Sequence, residues 1–455
     1  MQSRNPTSQI LTWTAVFLCF TTLTTAVDVS SIKDHAVWDQ LQELAKFSDT
    51  PPPSVTRLVY KKHDILARKR IKELMKEAGL TVQEDAVGNT FGRWEGSDTK
   101  AGTVMTGSHA DAIVLGGAYD GILGVWGGIA AVAGLRKAGF KPTKSIEVVQ
   151  WTSEEADRFT EICFGSRIAT GYMKAHELDK FRDDNGTTFQ EAASAAGYKQ
   201  ASSQAYLDGS QLDAKTIDSY VELHIEQGPL LEADKKDVGI VTHIFGPSLS
   251  HVVFNGSGGH AGGMPMANRN DPSLAGAELA LHVEKAALNT GSIHNVATTG
   301  TWNIWPNVLN AVPRGASLLF DIRDVEDKRR QKVIQALLDG AQSIAKKRKV
   351  EVKAEVVYAY PPITSGEKVL DAIKSATREL KVSTMELMSK PYHDAAFMGL
   401  VAPTAMIFVP CRGGLSHHPD EYSSPKNVGD GVRTLALTLA KLAGSSEPSQ
   451  THAEL

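Results

Sequence analysis

At 455 residues the chain is too long for one ordinary hydrophobic core, so two domains are expected. Its 42% hydrophobic and 22% charged content and net charge of −4 describe a globular protein. That balance gives neither the basic surface of a nucleic-acid binder nor an acidic tail. Three cysteines are too few for a disulfide framework, and neither Cys163 nor Cys411 has the local signature of a nucleophile. Buried thiols are expected instead.

The first segment in chain order is a leader. Arg4 precedes an apolar run over residues 10–23, followed by Thr24-Thr25-Ala26 and Asp28. This is the pattern of a secretory signal peptide cleaved near Ala26. Thr12, Thr14, Thr21 and Thr22 dilute the run, so a signal anchor is the alternative. No later segment reaches the roughly 18 apolar residues of a membrane span, so none is expected after signal removal. The last residues, His452-Ala453-Glu454-Leu455, resemble a degenerate Lys/His-Asp-Glu-Leu retrieval signal. The expected location is the lumen of the endoplasmic reticulum, with secretion as the alternative. Sequons at Asn185 and Asn255 are compatible with either.

Residues 37–80 have helical apolar spacing, and residues 82–94 alternate like a pair of strands. Residues 102–106 form a short buried strand that runs into Gly107-Ser108-His109. After Tyr119-Asp120-Gly121, the Gly/Ala-rich residues 123–135 predict a tightly packed helix. Residues 146–151 predict a buried strand ending at Glu154-Glu155. This alternation indicates an α/β domain whose mixed, largely parallel sheet is flanked by helices, with ligands gathering beyond the strands' carboxyl ends. Around Ile244 the pattern changes. Strands at 250–256 and 296–305 bracket a helix at 273–288, and strands at 317–325 and 350–358 bracket a helix at 327–347. Two strand–helix–strand halves suit an inserted α+β sandwich. From Gly366 helix–strand alternation resumes. The expected layout is a signal peptide (1–26), a catalytic domain in two parts (27–244 and 358–445), a lid (245–357) and a polar tail (446–455).

Four fragments carry the chemistry: Gly107-Ser108-His109-Ala110-Asp111 with Tyr119-Asp120-Gly121; Thr152-Ser153-Glu154-Glu155; Glu222-Leu223-His224-Ile225-Glu226-Gln227-Gly228-Pro229; and Leu415-Ser416-His417-His418-Pro419. Taken singly, a Gly-Ser-His, a glutamate pair or a His-His-Pro is an ordinary loop or surface feature. Together they supply three imidazoles and two or three carboxylates at strand ends, the mix that a pair of divalent metals prefers. Hydrolysis at a weakly electrophilic carbonyl near neutral pH needs a nucleophile made from water and positive charge at the developing oxyanion, and two bridged metals supply both. Asp120 is the expected bridge, with His109 and His224 completing one metal, and Glu155 and His417 the other. Glu154 is the expected general base. Asp111 has no place in a filled ligand set and is expected to orient His109.

The ordered series Gly-Ser-His-x-Asp, Tyr-Asp-Gly, Glu-Glu-x-x-Arg-Phe, His-Ile-Glu-Gln-Gly-Pro, Gly-His-Ala-Gly and Ser-His-x-Pro runs across residues 37–443. It resembles the dimetal amidohydrolases of the carbamoylase and allantoate amidohydrolase branch of the aminoacylase/carboxypeptidase-like metallopeptidases. The resemblance implies a discontinuous catalytic domain, a lid that also makes a homodimer, and two divalent ions per subunit, manganese by preference and zinc otherwise. It implies the same five ligands and the same base.

It also implies substrate contacts. Arg323 would bind the carboxylate of a ureido acid, the alternative being an ion pair with Asp321 or Asp324. Asn310 would hydrogen-bond the substrate from the lid, and His260 would stabilise the oxyanion in the neighbouring subunit's site. Gln227, His393 and Gly414 are further expected contacts. His109-Ala110-Asp111-Ala112-Ile113, Tyr392-His393-Asp394 and the segments 410–414 and 421–425 most resemble the plant-type members that cut ureidoglycolate. Allantoate and N-carbamoyl amino acids are the nearer alternatives. A dipeptidase and a binding module without metals are the remote ones.

Overall fold

The computed structural model describes residues 27–446, so the leader and the C-terminal tetrapeptide lie outside the described residues. A nine-stranded sheet organises the first domain. Its four central strands are adjacent and parallel, in the order Thr404–Val409, Ile217–Ile225, Thr103–His109, Ser145–Trp151. Antiparallel partners extend the sheet, Val238–Ile244 on one side and Thr90–Trp94 followed by Thr81–Glu84 on the other. Every residue of Thr103–His109 is buried, as a strand covered by helices on both faces requires. The helix Ile122–Lys137 is buried nearly all round and packs against this strand and the helix Pro425–Ala443. Its smooth apolar surface follows from its glycines and alanines.

Residues 37–80 depart from expectation, whereas the strand pair expected over 82–94 is present. The stretch read as helical over 37–80 is two helices, Asp34–Ala45 and Lys62–Glu77, separated by the strand Val55–Arg57. Pro51-Pro52-Pro53 accounts for the break. Prolines lack the N–H that a helix interior needs and push the preceding residue out of the helical region.

Residues 246–359 build a separate four-stranded antiparallel sheet in the order Val296–Trp305, Gly315–Asp324, Gly246–Asn255, Glu351–Ala359. Helices Pro272–Leu288 and Asp327–Arg348 pack on each other and on the sheet. Ala316, Leu318, Phe320 and Ile322 are fully buried in the resulting core. Strand periodicity then turns Asp321 and Arg323 to the opposite face. There Arg323 meets the catalytic domain, its Nη1 donating to the Lys390 carbonyl at 3.2 Å. The lid reaches the site through Pro247, Arg323 and Tyr358, on three of its strands.

Candidate metal centre

The four parallel strands deliver the expected ligands at their carboxyl ends. His109 is the last residue of its strand and His224 the penultimate residue of the neighbouring one. Glu154 and Glu155 follow Trp151 by three and four positions, and His417 lies in the loop beyond Val409. Asp120 enters from the turn that starts the helix Ile122–Lys137. Gly121 makes this turn possible. Its φ is +65°, and a Cβ there would stand 2.3 Å from the His109 ring.

Each oxygen of Asp120 faces a different ligand pair. Oδ1 lies 3.4 Å from His109 Nε2 and 3.2 Å from His224 Nε2. Oδ2 lies 3.5 Å from His417 Nε2, which is itself 3.1 Å from Glu155 Oε1. Two ligands about 2.1 Å from a tetrahedral metal stand about 3.4 Å apart, so both clusters have the dimensions of a coordination shell. Ligand atoms of His109, Asp120 and His224, and of Asp120, Glu155 and His417, lie within 4.8 Å of one another.

The imidazoles are oriented for this task. His109 Nδ1–H donates to the Asp111 carbonyl at 3.0 Å, and His224 Nδ1–H to the Ile225 carbonyl at 2.9 Å. Both Nε2 atoms are thereby turned inward as lone-pair donors. His224 Nε2 also accepts the Gly121 N–H at 3.1 Å, as only a neutral ring nitrogen can. Asp111 acts differently from the sequence expectation. Its Oδ1 stands 3.8 Å from His109 Nδ1, because the main-chain carbonyl reaches that nitrogen first. The carboxylate accepts the N–H groups of Glu154 (3.3 Å) and Glu155 (3.0 Å) instead. Asp111 thus shapes the turn that lets two adjacent glutamates approach one site.

Burial and charge are in tension here. Asp111, Asp120, Glu154, Glu155, Glu222, Asp394 and Glu421 are all buried around the three imidazoles. Burial, together with Glu155 and Asp394, holds Glu154 well above the usual carboxylate range. Burial raises Glu155 as well. Burial opposes charge on His109, but Glu154, Asp120 and Asp111 outweigh it and raise its pKa well above the ordinary value. A hydrogen bond donated to Glu155 pushes His417 up to about 9. So many buried acids are costly unless cations offset them. The donor set therefore fits two divalent ions in number, chemistry and spacing.

Backbone strain collects at the same place. Ser153, Cys163, Gln227 and His417 are non-glycine residues with φ of 54–56°. Each such residue costs of order 1–3 kcal/mol, which surrounding contacts must hold in place.

A cavity of about 200 Å³ opens onto the ligands and is lined also by Ile162, Gln227, Arg323, Tyr358, Tyr392 and His393. Gln227 Nε2 donates to Asp120 Oδ2 at 2.8 Å, while its Oε1 is buried without a partner. Ser389 Oγ–H donates to the Pro391 carbonyl, so His393 Nε2–H must donate to Ser389 Oγ (2.8 Å), leaving Nδ1 as an acceptor. Burial and the neighbouring His224 keep His393 neutral. Arg323 reaches the cavity from the lid, held by Asp321 through Nη2 at 2.7 Å and Nε at 2.9 Å. The ion pair weighed as an alternative is present, and the guanidinium still lines the cavity.

His260 and Asn310 are exposed and do not line this cavity. They sit at one end of a two-stranded antiparallel pairing of Gly259–His260 with Ala311–Val312, beside which Ala261 N–H donates to the Asn310 carbonyl at 2.8 Å. Gly414 packs against Gly228 and Pro229 and lies outside the cavity too. A larger cleft of about 600 Å³ sits behind the Tyr119–Asp120 turn, and its lining includes Trp38, Tyr119 and Tyr422 but no metal-ligand set.

Several contacts were not drawn from the sequence. Ser416 Oγ donates to Asp120 Oδ2 at 2.6 Å. Cys163 Sγ approaches Glu154 Oε1 at 3.4 Å. Glu222 accepts Ser108 Oγ–H at 2.7 Å and Ala395 N–H at 2.8 Å. Strand alternation carried that last signal, since residues 222 and 224 share a face.

Four parallel strands of a mixed sheet, with paired acid and imidazole sets at their carboxyl ends, mark a hydrolase of α/β class equipped for divalent metals. The model of peptidase family M20/M25/M40 matches residues 105–441, and the chain belongs to that family. It is therefore a hydrolase of carbon–nitrogen bonds. It is 44% identical over 416 residues to a ureidoglycolate hydrolase of Arabidopsis thaliana, covering 91% of this chain and 87% of that one. An N-carbamoyl-L-amino acid amidohydrolase of Geobacillus stearothermophilus is 35% identical over 417 residues, 90% of this chain and 99% of that one. The crystal structure of AtUAH in complex with (S)-hydroxyglycine superposes with a TM-score of 0.80 at 42% identity, covering 91% of this chain and all of that one.

Proposed function

We propose that the protein hydrolyses (S)-ureidoglycolate to glyoxylate, carbon dioxide and two ammonia, in the breakdown of purine-derived ureides. The observation that carries this is the pairing of Asp120's two oxygens with separate ligand sets inside a cavity small enough for a three-carbon ureido acid. The 44% identity to a ureidoglycolate hydrolase supports the choice of ureide. One water adds to the terminal ureido carbonyl and the terminal C–N bond breaks. The carbamate then loses carbon dioxide, and the hydroxyglycine left behind releases its second ammonia to give glyoxylate.

His109, Asp120 and His224 would hold one divalent ion, and Asp120, Glu155 and His417 the other. When bound, such a pair lowers the pKa of water and polarises the carbonyl. With no thiolate in the set, manganese and zinc are both accepted, and manganese is our reading. Glu154 Oε2 lies 3.7 Å from His109 Nε2, while Oε1 is occupied by the Cys163 thiol. Oε2 would take the proton of the attacking water and give it to the departing nitrogen. Arg323 would pair with the substrate carboxylate. Gln227 Oε1 and His393 Nδ1 are the acceptors left for substrate N–H and O–H groups.

We also read the protein as a homodimer of the endoplasmic-reticulum lumen. The lid strand Val296–Trp305 is a sheet edge, with Val296 and Trp302 exposed beside Leu281, Leu288 and Ile293. His260 and Asn310, exposed and absent from the lining of their own cavity, would then serve the partner's, as closure of the lid completes the site. Sedimentation and N-terminal sequencing of the protein from a secretory host test both points. A monomer, or an intact leader on cytosolic protein, would contradict them.

The enzymatic reading is tested on chelator-stripped protein. Activity should vanish on stripping and return with Mn(II). Ammonia release should be strong for (S)-ureidoglycolate and weak for allantoate, N-carbamoyl amino acids and dipeptides. N-methylurea, which lacks the carboxylate for Arg323, should not react. Preferred turnover of a dipeptide, or activity indifferent to the chelator, would overturn the reading.

A further inference from the structure

We propose that Glu421 is a positioning residue that fixes the carboxylate of Asp120 between the two ligand sets; this rests on the reading of Asp120 as their shared member. Glu421 is 4% exposed, and its Oε1 accepts the N–H groups of both Tyr119 (2.8 Å) and Asp120 (3.0 Å). No other acceptor serves those two N–H groups among the described residues. They lie in the turn before the N-cap Gly121 of the helix Ile122–Lys137, so no helical carbonyl serves them.

The turn is built around this carboxylate. A Cβ on Gly117 would lie 2.2 Å from Glu421 Cδ, so only glycine leaves room for it. Oε2 is buried without a partner, an arrangement tolerable beside positive charge. The same short loop also supplies Ser416, whose hydroxyl donates to Asp120 Oδ2 at 2.6 Å, and His417, whose Nε2 stands 3.5 Å from that oxygen. Residues 416–421 therefore grip Asp120 at the main chain and the side chain together. A small displacement of the turn would spread the ligand separations beyond the reach of one ion. Residues that orient ligands in this way typically alter metal affinity by about 10–100-fold when replaced.

Mn(II) titration into chelator-stripped protein, with thermal unfolding of the metal-free form, tests the proposal. E421A removes the acceptor, and E421D withdraws it by one methylene. Both should weaken Mn(II) binding by about 10–100-fold. E421Q retains an oxygen that can accept both N–H groups and should stay within about threefold of the unaltered protein. Should E421A fail to fold, G117A displaces the carboxylate while keeping Glu421, and the same weakening is expected. A purely structural role would lower the unfolding temperature of metal-free E421A and leave its Mn(II) affinity intact, and that result overturns the proposal. So does E421Q binding as weakly as E421A. The companion variant D120A separates the two readings. If D120A still binds two ions, the assignment of Asp120 fails. If D120A binds none while E421A and G117A bind normally, only the role of Glu421 fails.

Discussion

Glu154→Gln is expected to lower kcat by about 10²–10⁴-fold, the contribution of a positioned general acid–base, with both metals still bound. The carboxamide matches the carboxylate in shape, so the turn over residues 153–155 and the contact from Cys163 can persist. What it cannot do is take a proton. Burial raises the Glu154 pKa above the usual carboxylate range, with Glu155 and Asp394 adding to it. A raised pKa means that protonated, inactive enzyme persists to higher pH than an ordinary glutamate would allow. Bound cations act in the opposite sense. In either case kcat/KM should climb with pH through the Glu154 titration, and that acid limb should disappear in the variant. Steady-state ammonia release across pH, with metal content measured on the same samples, checks this. Activity within tenfold of the unaltered enzyme, with the acid limb retained, would remove Glu154 from the mechanism.

The sequence disclosed His109, Glu154, Glu155 and His224 because each stands where a buried strand stops. Thr103–His109 and Ser145–Trp151 are uninterrupted enough to read as strands, and the polar residues that follow can only sit at their ends. The lid was legible for the same reason, its alternation placing Phe320 and Ile322 in the core and Arg323 opposite. Contacts between residues far apart in the chain were not legible. Glu421 reaches Asp120 across 301 positions, and no local pattern marks a loop glutamate as the acceptor for that turn. Asp111 shows a different limit. Proximity in sequence suggested that its carboxylate serves His109, yet competition between its own carbonyl and carboxylate is settled by backbone direction. Nor did composition reveal the break at Pro51-Pro52-Pro53, where apolar spacing continued while the backbone could not.

Asp120→Ala is expected to remove both metals, and with them activity by about 10⁴-fold or more, the scale seen when a catalytic group is removed outright. Deleting any other ligand leaves one cluster complete. Deleting Asp120 leaves His109 with His224 on one side and Glu155 with His417 on the other, two protein ligands each. Catalytic sites of this kind ordinarily need three. Asp120→Asn sharpens the test, because a carboxamide offers one oxygen and an NH₂ that cannot ligate. Its oxygen can complete only one set, so one ion per subunit is expected in place of none or two. The NH₂ would then face either the imidazoles at Oδ1 or the Ser416 and Gln227 donors at Oδ2. Donor against donor is unfavourable, so the amide oxygen should keep the Oδ2 position and the ion held with Glu155 and His417 should survive. Metal analysis with a crystal structure of the Mn-loaded variant decides between the two positions. Two ions in Asp120→Ala would show that the carboxylate does not join the sets, whatever the activity.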